Sequence, residues 1–369
     1  MRITLLIPDL SGGGAERAAI SLATEFSEQG HSVSFLVMNL QGSLLSEVAE
    51  NFVLETLQSP RNYTALIPLL KYLNKNRPEV LISYMPIANA LAGYAKLLSS
   101  HRFIAIGTEH NPKSLTLHPS KKMIRNLMRP LIMQGYRSLD GIIAVSAGIQ
   151  GLLVEKIGRG LATTTIANPI SIEDIKTLSG VVDQSISPSV FDDKKLIVAV
   201  GRLVDEKCFD LLIEAIELTR REVDIQCIIL GEGILRKGLE AEISKRHLDN
   251  VVQMPGHTTN PWYWMKKADV FVLSSKHEGF GLVLAEALVL DIPIVSTDCE
   301  YGPKEILRDG TYGWLVPVSD VEKLSKAILK AIASPLLHEE RERGSHRYSS
   351  KVIARQYLSF MDEISQRKG

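Results

Sequence analysis

The stretch Leu196-Ile197-Val198-Ala199-Val200-Gly201-Arg202-Leu203-Val204-Asp205-Glu206-Lys207 decides the fold. Five apolar residues in a row, with no polar alternation, predict a strand buried on both faces, as in a parallel sheet covered by helices. Glycine ends the run, and a charged loop leads into an amphipathic stretch at 208–219. Strand, loop and helix in that order form the repeating unit of a doubly wound α/β domain. The same rhythm continues toward the C-terminus. Apolar runs at 225–230, 270–273 and 294–297 alternate with helical patterns near 233–246, 281–290 and 320–333. Toward the N-terminus, runs at 3–7, 33–38, 80–83, 103–108 and 141–145 alternate with helical patterns around 15–28, 64–76, 86–98, 119–135 and 146–157.

The alternation pauses at 168–193, where Asn168-Pro169, Ser185, Ser187-Pro188-Ser189 and Asp192-Asp193 read as linker and surface loop. The expected organisation is therefore an α/β domain over 1–168, a linker over 169–193 and a second α/β domain over 194–349. A closing helical pattern at 350–366 has no strand after it. A length of 369 residues suits two domains of roughly 100–200 residues each. Two such domains in tandem are expected to face one another across a cleft, with ligands at the carboxyl ends of the strands.

Composition excludes several classes. Hydrophobic residues make up 45% and charged residues 23%, which is globular rather than disordered or fibrous. Lys plus Arg is 42 and Asp plus Glu is 42, so bulk charge argues against a general nucleic-acid binder. The charge is uneven, since residues 1–168 hold 16 basic and 11 acidic side chains, an excess of five positive charges. Cys208, Cys227 and Cys299 are scattered and form no Cys-x-x-Cys, so reduced, buried thiols in a cytosolic protein are expected. The apolar run at 3–7 is too short for a signal peptide, and no run reaches the ~18 residues of a spanning helix. A soluble chain is expected, with attachment to a membrane surface left open.

Three strand-to-helix loops carry chemistry. Asp9-Leu10-Ser11-Gly12-Gly13-Gly14-Ala15-Glu16-Arg17 opens the first helix, and its glycines let a ligand approach the backbone while the helix start offers N–H groups to an anion. It lacks both the dinucleotide fingerprint and the Walker lysine, and a plain flexible turn is the competing reading. In the loop 201–207, Arg202 and Lys207 could fork and neutralise a diphosphate, or could be two solvated cations. The third loop, Glu278-Gly279-Phe280-Gly281-Leu282-Val283-Leu284-Ala285-Glu286, offers two carboxylates that can accept sugar hydroxyls. Glu286 reads equally well as a helix residue stabilised by the dipole.

Gly-Arg-Leu-Val-Asp-Glu-Lys, followed some seventy residues later by Glu-Gly-Phe-Gly and then Glu286, resembles the retaining nucleotide-sugar glycosyltransferases of family 4, with the GT-B fold of two Rossmann-like domains. Gly12-Gly13-Gly14-Ala15-Glu16-Arg17 and Thr108-Glu109-His110-Asn111 fit the same family, so the resemblance covers nearly the whole chain. The chain is similar to bacterial members that extend polyprenyl-diphosphate-linked glycans or build lipopolysaccharide and capsule. The resemblance implies that Arg202 and Lys207 bind the donor diphosphate and that Glu286 binds the nucleotide ribose. Glu278 would face the transferred sugar beside the amides of Phe280, Gly281 and Leu282. Gly13 and Gly14 would close over the diphosphate, His110 would stand at the sugar, and Gly231 would lie near the base. It implies a donor that is a UDP-linked hexose or N-acetylhexosamine, no metal and no other cofactor, and a C-terminal helix that packs back on the first domain. One departure is visible: Cys208 stands where a glycine commonly follows the lysine.

Lys121, Lys122, Arg125 and Arg129 form a basic face at helical spacing, with Met123, Ile124, Leu127 and Met128 opposite. Such a stretch suits an anionic membrane surface or the diphosphate of a lipid-linked acceptor, and equally an ordinary domain helix with a solvated face. The expected location is cytoplasmic, peripheral on the inner face of the membrane. The competing functions are a sugar-nucleotide-binding protein without activity and a glycosyltransferase with a soluble small-molecule acceptor.

Overall fold

A computed structural model describes residues 1–59, 64–111, 122–183, 194–334 and 344–367, and over 122–129 the backbone alone. The chain divides into two compact units, Met1–Pro169 with Ser350–Gly369, and Ile170–Ser349.

The first unit is built on seven parallel strands: β1 Arg2–Ile7, β2 Ser32–Val37, β3 Val53–Thr56, β4 Val80–Tyr84, β5 Ile104–Glu109, β6 Gly141–Ala144 and β7 Ala162–Thr165. Their order is β3-β2-β1-β4-β5-β6-β7. In β1 and β4 every residue but Arg2 is buried, because helices cover both faces. The register pairs Leu5 with Phe35 on one side and with Ile82 on the other. The chain winds outward from β1 to β3 and then crosses to β4, so the winding reverses between β1 and β4.

The helix Ser350–Gln366 belongs to this unit. It buries Ile353, Ala354, Tyr357, Phe360, Met361 and Ile364, a single stripe at helical spacing, against a core that includes Ile3, Phe26, Ile106 and Ile143. Gly141 permits the approach. A Cβ there would lie 2.6 Å from Ile364 Cδ1 and 2.8 Å from Phe360 Cζ.

The second unit has six parallel strands: β8 Lys195–Val200, β9 Ile225–Leu230, β10 Val252–Gly256, β11 Val270–Leu273, β12 Ile294–Thr297 and β13 Trp314–Val316. Their order, β10-β9-β8-β11-β12-β13, reverses between β8 and β11. Its core gathers Ile197, Ala199, Leu212, Ile216, Ile229 and Val272 with helix residues Leu324 and Ile328. The stretch expected as a linker holds a helix, Ile172–Leu178, capped by Ser171. Asn260 Nδ2 donates to Leu178 O at 2.8 Å, and Trp264 Nε1 donates to Asp183 Oδ2 at 2.8 Å, so residues 172–183 are fastened to the second unit. The expected doubly wound α/β class is thus met in both units.

Candidate sugar-nucleotide site

In a doubly wound sheet, the loops that diverge on either side of the reversal leave an opening at the carboxyl ends of the strands. In the second unit those loops follow β8 and β11. The first holds Arg202 and Lys207; the second holds Glu278, Phe280, Gly281 and Leu282. The two are tied by charge. Lys207 Nζ lies 2.5 Å from Glu278 Oε1, with the side chains 18% and 11% exposed. Ser275 Oγ donates to the same Glu278 oxygen at 2.7 Å, Ser274 Oγ donates to Lys207 O at 2.8 Å, and the Lys276 amide donates to Glu206 O at 2.9 Å. Lys276 Nζ pairs with Asp205 at 2.6 Å on the outer side of the same loop. Arg202 differs from all of these. Its side chain is exposed, and it makes no hydrogen bond or ion pair with the described residues.

Close-packed backbone fixes the two loops. Gly231 follows β9 with φ +145°, and a Cβ there would stand 1.9 Å from Gly201 O. The Gly201 amide donates to Leu230 O at 2.9 Å and the Leu203 amide to Glu232 O at 2.8 Å, so the loops after β8 and β9 are zipped together. Gly302 does the same service for the third loop, since a Cβ there would meet Phe280 O at 1.9 Å. Phe280 is buried and packs edge-on against Tyr348, ring centroids 5.3 Å apart. Gly281, with φ +89°, starts the helix Leu282–Val289, which has no side-chain cap. Glu286 is buried on that helix, 7% exposed.

Cys208 explains its own departure from the family pattern. Its φ of +48° and ψ of +47° are left-handed, the region glycine enters without penalty. Cys208 adopts it with its side chain buried and its Sγ donating to Asp205 O at 3.3 Å. All three cysteines are free and buried. Burial first, then the Glu278 carboxylate, push the Cys299 thiol up to about 12, so it stays protonated beside the Lys207–Glu278 pair.

The corresponding edge of the first unit's sheet carries Gly13, Gly14 and His110. Gly13 caps the helix Gly14–Glu28 in an extended conformation, with no side-chain cap bond. Asp9 braces the loop by accepting the Ser11 amide at 3.1 Å, and Gly42 packs against the same loop, where a Cβ would stand 2.0 Å from Leu10 O. His110 ends β5. Its ring stacks on Tyr84 at the end of β4, centroids 5.5 Å apart and planes 24° apart. Burial lowers the His110 pKa to about 4, so the ring is neutral near pH 7. Sequence reading missed Tyr84, Asn89 and Tyr136. Each lies within a strand or helix pattern that hides a polar group among apolar neighbours. It also missed Ser274 and Ser275, although a polar pair straight after an apolar strand was a usable signal.

Lys121 lies outside the described residues, as do the side chains of Lys122, Arg125 and Arg129. The backbone of 122–137 is one helix, Lys122–Arg137, with Pro130 inside it. No described helix is long and apolar enough to cross a membrane. Among the described residues, no group of three or more His, Cys, Asp and Glu side chains could hold a metal ion.

Residues 183–347 match the family described as glycosyl transferases group 1, and residues 12–174 match glycosyltransferase family 4. The chain belongs to these glycosyltransferases. Relatives agree across its length. It is 26% identical over 370 residues, 96% of this chain and 95% of the relative, to the N-acetylgalactosamine-N,N'-diacetylbacillosaminyl-diphospho-undecaprenol 4-alpha-N-acetylgalactosaminyltransferase of Campylobacter jejuni. It is 29% identical over 203 residues to the poly(ribitol-phosphate) alpha-N-acetylglucosaminyltransferase of Staphylococcus aureus, covering 53% of this chain and only 41% of that enzyme. The crystal structure of Anabaena HepE in complex with UDP superposes with a TM-score of 0.79 at 19% identity, over 98% of this chain and 100% of that one, which supports the GT-B fold.

Proposed function

We propose that this glycosyltransferase moves a hexose or N-acetylhexosamine from a UDP-linked donor to a lipid-linked glycan acceptor, with retention of anomeric configuration. The observation that carries the reading is the loop pair of the second unit. Lys207, held against Glu278, and Arg202, exposed and with no side-chain partner among the described residues, stand at the sheet reversal where a diphosphate would be received. Breaking the bond from anomeric carbon to diphosphate sends negative charge onto the leaving group. Fixed cations and backbone N–H groups stabilise that charge, usually the largest catalytic term. Arg202 forks the diphosphate, Lys207 adds a point charge, and the amides of Phe280, Gly281 and Leu282 meet the donor at the helix start. In the first unit, the Gly13–Gly14 loop offers a helix start of its own to an anion. Glu286 accepts the ribose hydroxyls, Gly231 borders the base, and Glu278 accepts hydroxyls of the transferred sugar. With two cations committed to the diphosphate, the reaction proceeds without a divalent ion.

The second unit is thus the donor-binding domain and the first the acceptor-binding domain, with 122–137 as the segment that meets an anionic membrane surface at the inner face. The Campylobacter relative, whose name specifies a diphospho-undecaprenol acceptor and which aligns over nearly the full chain, supports the acceptor class. The test is a matrix of nucleotide sugars against polyprenyl-diphosphate-linked glycans and soluble sugars, with and without chelator. Transfer to the lipid-linked glycan that survives chelation, with an α-linked product from an α-linked donor, supports the reading. Transfer to soluble acceptors alone, or none from any donor, contradicts it.

A further inference from the structure

A cavity of about 490 Å³ opens in the first unit, at the end of the sheet away from His110 and the Gly13–Gly14 loop. Its lining segments, 139–140 and 160–162, lead into β6 and β7, so it lies at the amino ends of the strands. Three helices finish beside it: Lys122–Arg137, Ala147–Ile157 and Ser350–Gln366. Leu139, Ile157 and Ile364, all buried, and Leu161 form its apolar wall, while Arg137 and Arg367, both exposed, supply its charge. Small-molecule sites typically enclose roughly 300–1,000 Å³ and combine such a wall with a few polar groups.

The two arginines have an ordinary duty and donors left over. Cations favour helix carboxyl ends, where carbonyl groups lack partners. Arg137 Nε donates to Ile157 O at 3.3 Å, and Arg367 Nη2 pairs with Glu363. That engages one nitrogen of each guanidinium. Both Nη groups of Arg137, and Nε and Nη1 of Arg367, make no hydrogen bond to the described residues. Asp140 also lines the cavity, but its carboxylate is engaged elsewhere: Oδ1 pairs with Lys96, and Oδ2 accepts the Ala105 amide at 2.8 Å.

We propose that this cavity binds a phosphate monoester carried on an apolar stem. A guanidinium fork matches phosphate oxygens two at a time. A phosphate monoester carries about −1.5 to −2 charges at pH 7, which suits two arginines, whereas a carboxylate or a phosphate diester brings one. The stem lies against Leu139, Ile157, Leu161 and Ile364 and leaves water as it does so. Such a compound comes either from a membrane, as a lipid with a terminal phosphate, or from solution, as a short-chain alkyl phosphate. The cavity uses none of the residues assigned to sugar transfer, and the proposal does not rest on that assignment.

The experiment is calorimetric titration of geranyl phosphate, a soluble monoester with a hydrocarbon stem, into the full chain, beside inorganic phosphate and geraniol. Geranyl phosphate should bind, and the other two should bind at least ~10-fold more weakly, since each offers half of the match. Arg137→Gln and Arg367→Gln should each weaken binding about 10–100-fold through the loss of a charge-assisted hydrogen bond. Arg159→Gln removes an exposed charge from the neighbouring loop without touching the lining, and Arg202→Ala removes the exposed arginine of the second unit; both should bind as the wild type does. Leu161→Glu should abolish binding by giving the cavity a carboxylate of its own, and should it not fold, the arginine variants decide. Flotation with phosphatidylcholine vesicles, with and without phosphatidic acid, separates the two sources. Capture that needs phosphatidic acid and is lost in Arg367→Gln assigns a membrane lipid; binding of geranyl phosphate without such capture assigns a soluble phosphate. A wild type that binds geranyl phosphate no better than inorganic phosphate overturns the proposal. So do arginine variants that bind it as the wild type does, or an Arg159→Gln variant that loses as much as Arg367→Gln.

Discussion

The carboxyl edges of the two sheets are built by different physics. In the second unit the loops after β8 and β11 are joined by a charged pair, Lys207–Glu278, and held by glycines whose Cβ atoms would collide with backbone. In the first unit the loop after β5 is held by neutral hydrogen bonds through Thr108, Asn89 and Tyr136, with a single buried carboxylate at their end. A charged edge with a spare cation suits an anion whose charge rises during reaction. A neutral edge whose buried ring nitrogen, His110 Nδ1, has no partner among the described residues suits hydroxyl groups, which need orientation more than charge.

The largest effect expected from breaking this contrast is structural. Gly231→Ala should destabilise the protein by at least ~3 kcal/mol, because its φ is positive and the new methyl overlaps Gly201 O, so two loops must part. Chemical denaturation measures it, and a loss under ~1 kcal/mol would mean that the zipped loops are not rigid. Next come the two cations, which should separate. Arg202→Ala should cut turnover by about 10²–10³ while stability stays within ~0.5 kcal/mol, since the side chain is exposed and unpaired among the described residues. Lys207→Ala should lose turnover similarly and also about 1–3 kcal/mol of stability, because the mostly buried Glu278 carboxylate loses its cation and keeps the Ser275 hydroxyl. Equal stability loss in both variants would erase the distinction.

At the neutral edge, Tyr136→Phe should cost about 1–3 kcal/mol by leaving Glu109 short of a donor. The pH dependence should show the other buried group. His110 binds its proton less readily when folded, with a pKa near 4 against an ordinary 6.5, so unfolding takes up a proton and stability falls as pH drops from about 6.5 to 4. Tyr84 and Thr108, which face the ring, and the Glu109 carboxylate beside it are unchanged in His110→Gln, and that variant should show a shallower loss over this window. Identical acid profiles would count against a buried neutral ring. The smallest effect is the control: Gly151→Ala, inside the helix Ala147–Ile157 with open space around it, should stabilise by about 0.5–1 kcal/mol.

What the sequence could reveal follows the same division between buried and exposed. The apolar runs at 3–7, 33–38, 80–83, 103–108 and 141–145, and at 196–200, 225–230, 270–273 and 294–297, are the interior strands of the two sheets. The strands that the runs did not reveal are β3, β7, β10 and β13, the four edges. An edge strand has one neighbour and is only half covered; β3 and β7 hold no buried residue, and β7 is Ala-Thr-Thr-Thr. Without continuous burial there is no continuous apolar run. The charged loops were legible for a related reason, since Arg202, Lys207 and Glu278 interrupt apolar runs at strand ends. Tyr84 and Tyr136 were not, because a tyrosine in an apolar pattern looks like core until its hydroxyl is placed. Cys208 illustrates a further limit: its left-handed backbone is invisible in a residue type that rarely adopts it.

The most direct test of the account is calorimetric titration of UDP, GDP and ADP into the wild type and Arg202→Ala. The wild type should bind UDP, and Arg202→Ala should bind it about 10–100-fold more weakly, the loss of one charge-assisted hydrogen bond of ~1.5–3 kcal/mol, at unchanged stability. A wild type that binds none of the three, or an Arg202→Ala variant that binds UDP as tightly as the wild type, would contradict the assignment of the second unit's edge to the donor diphosphate.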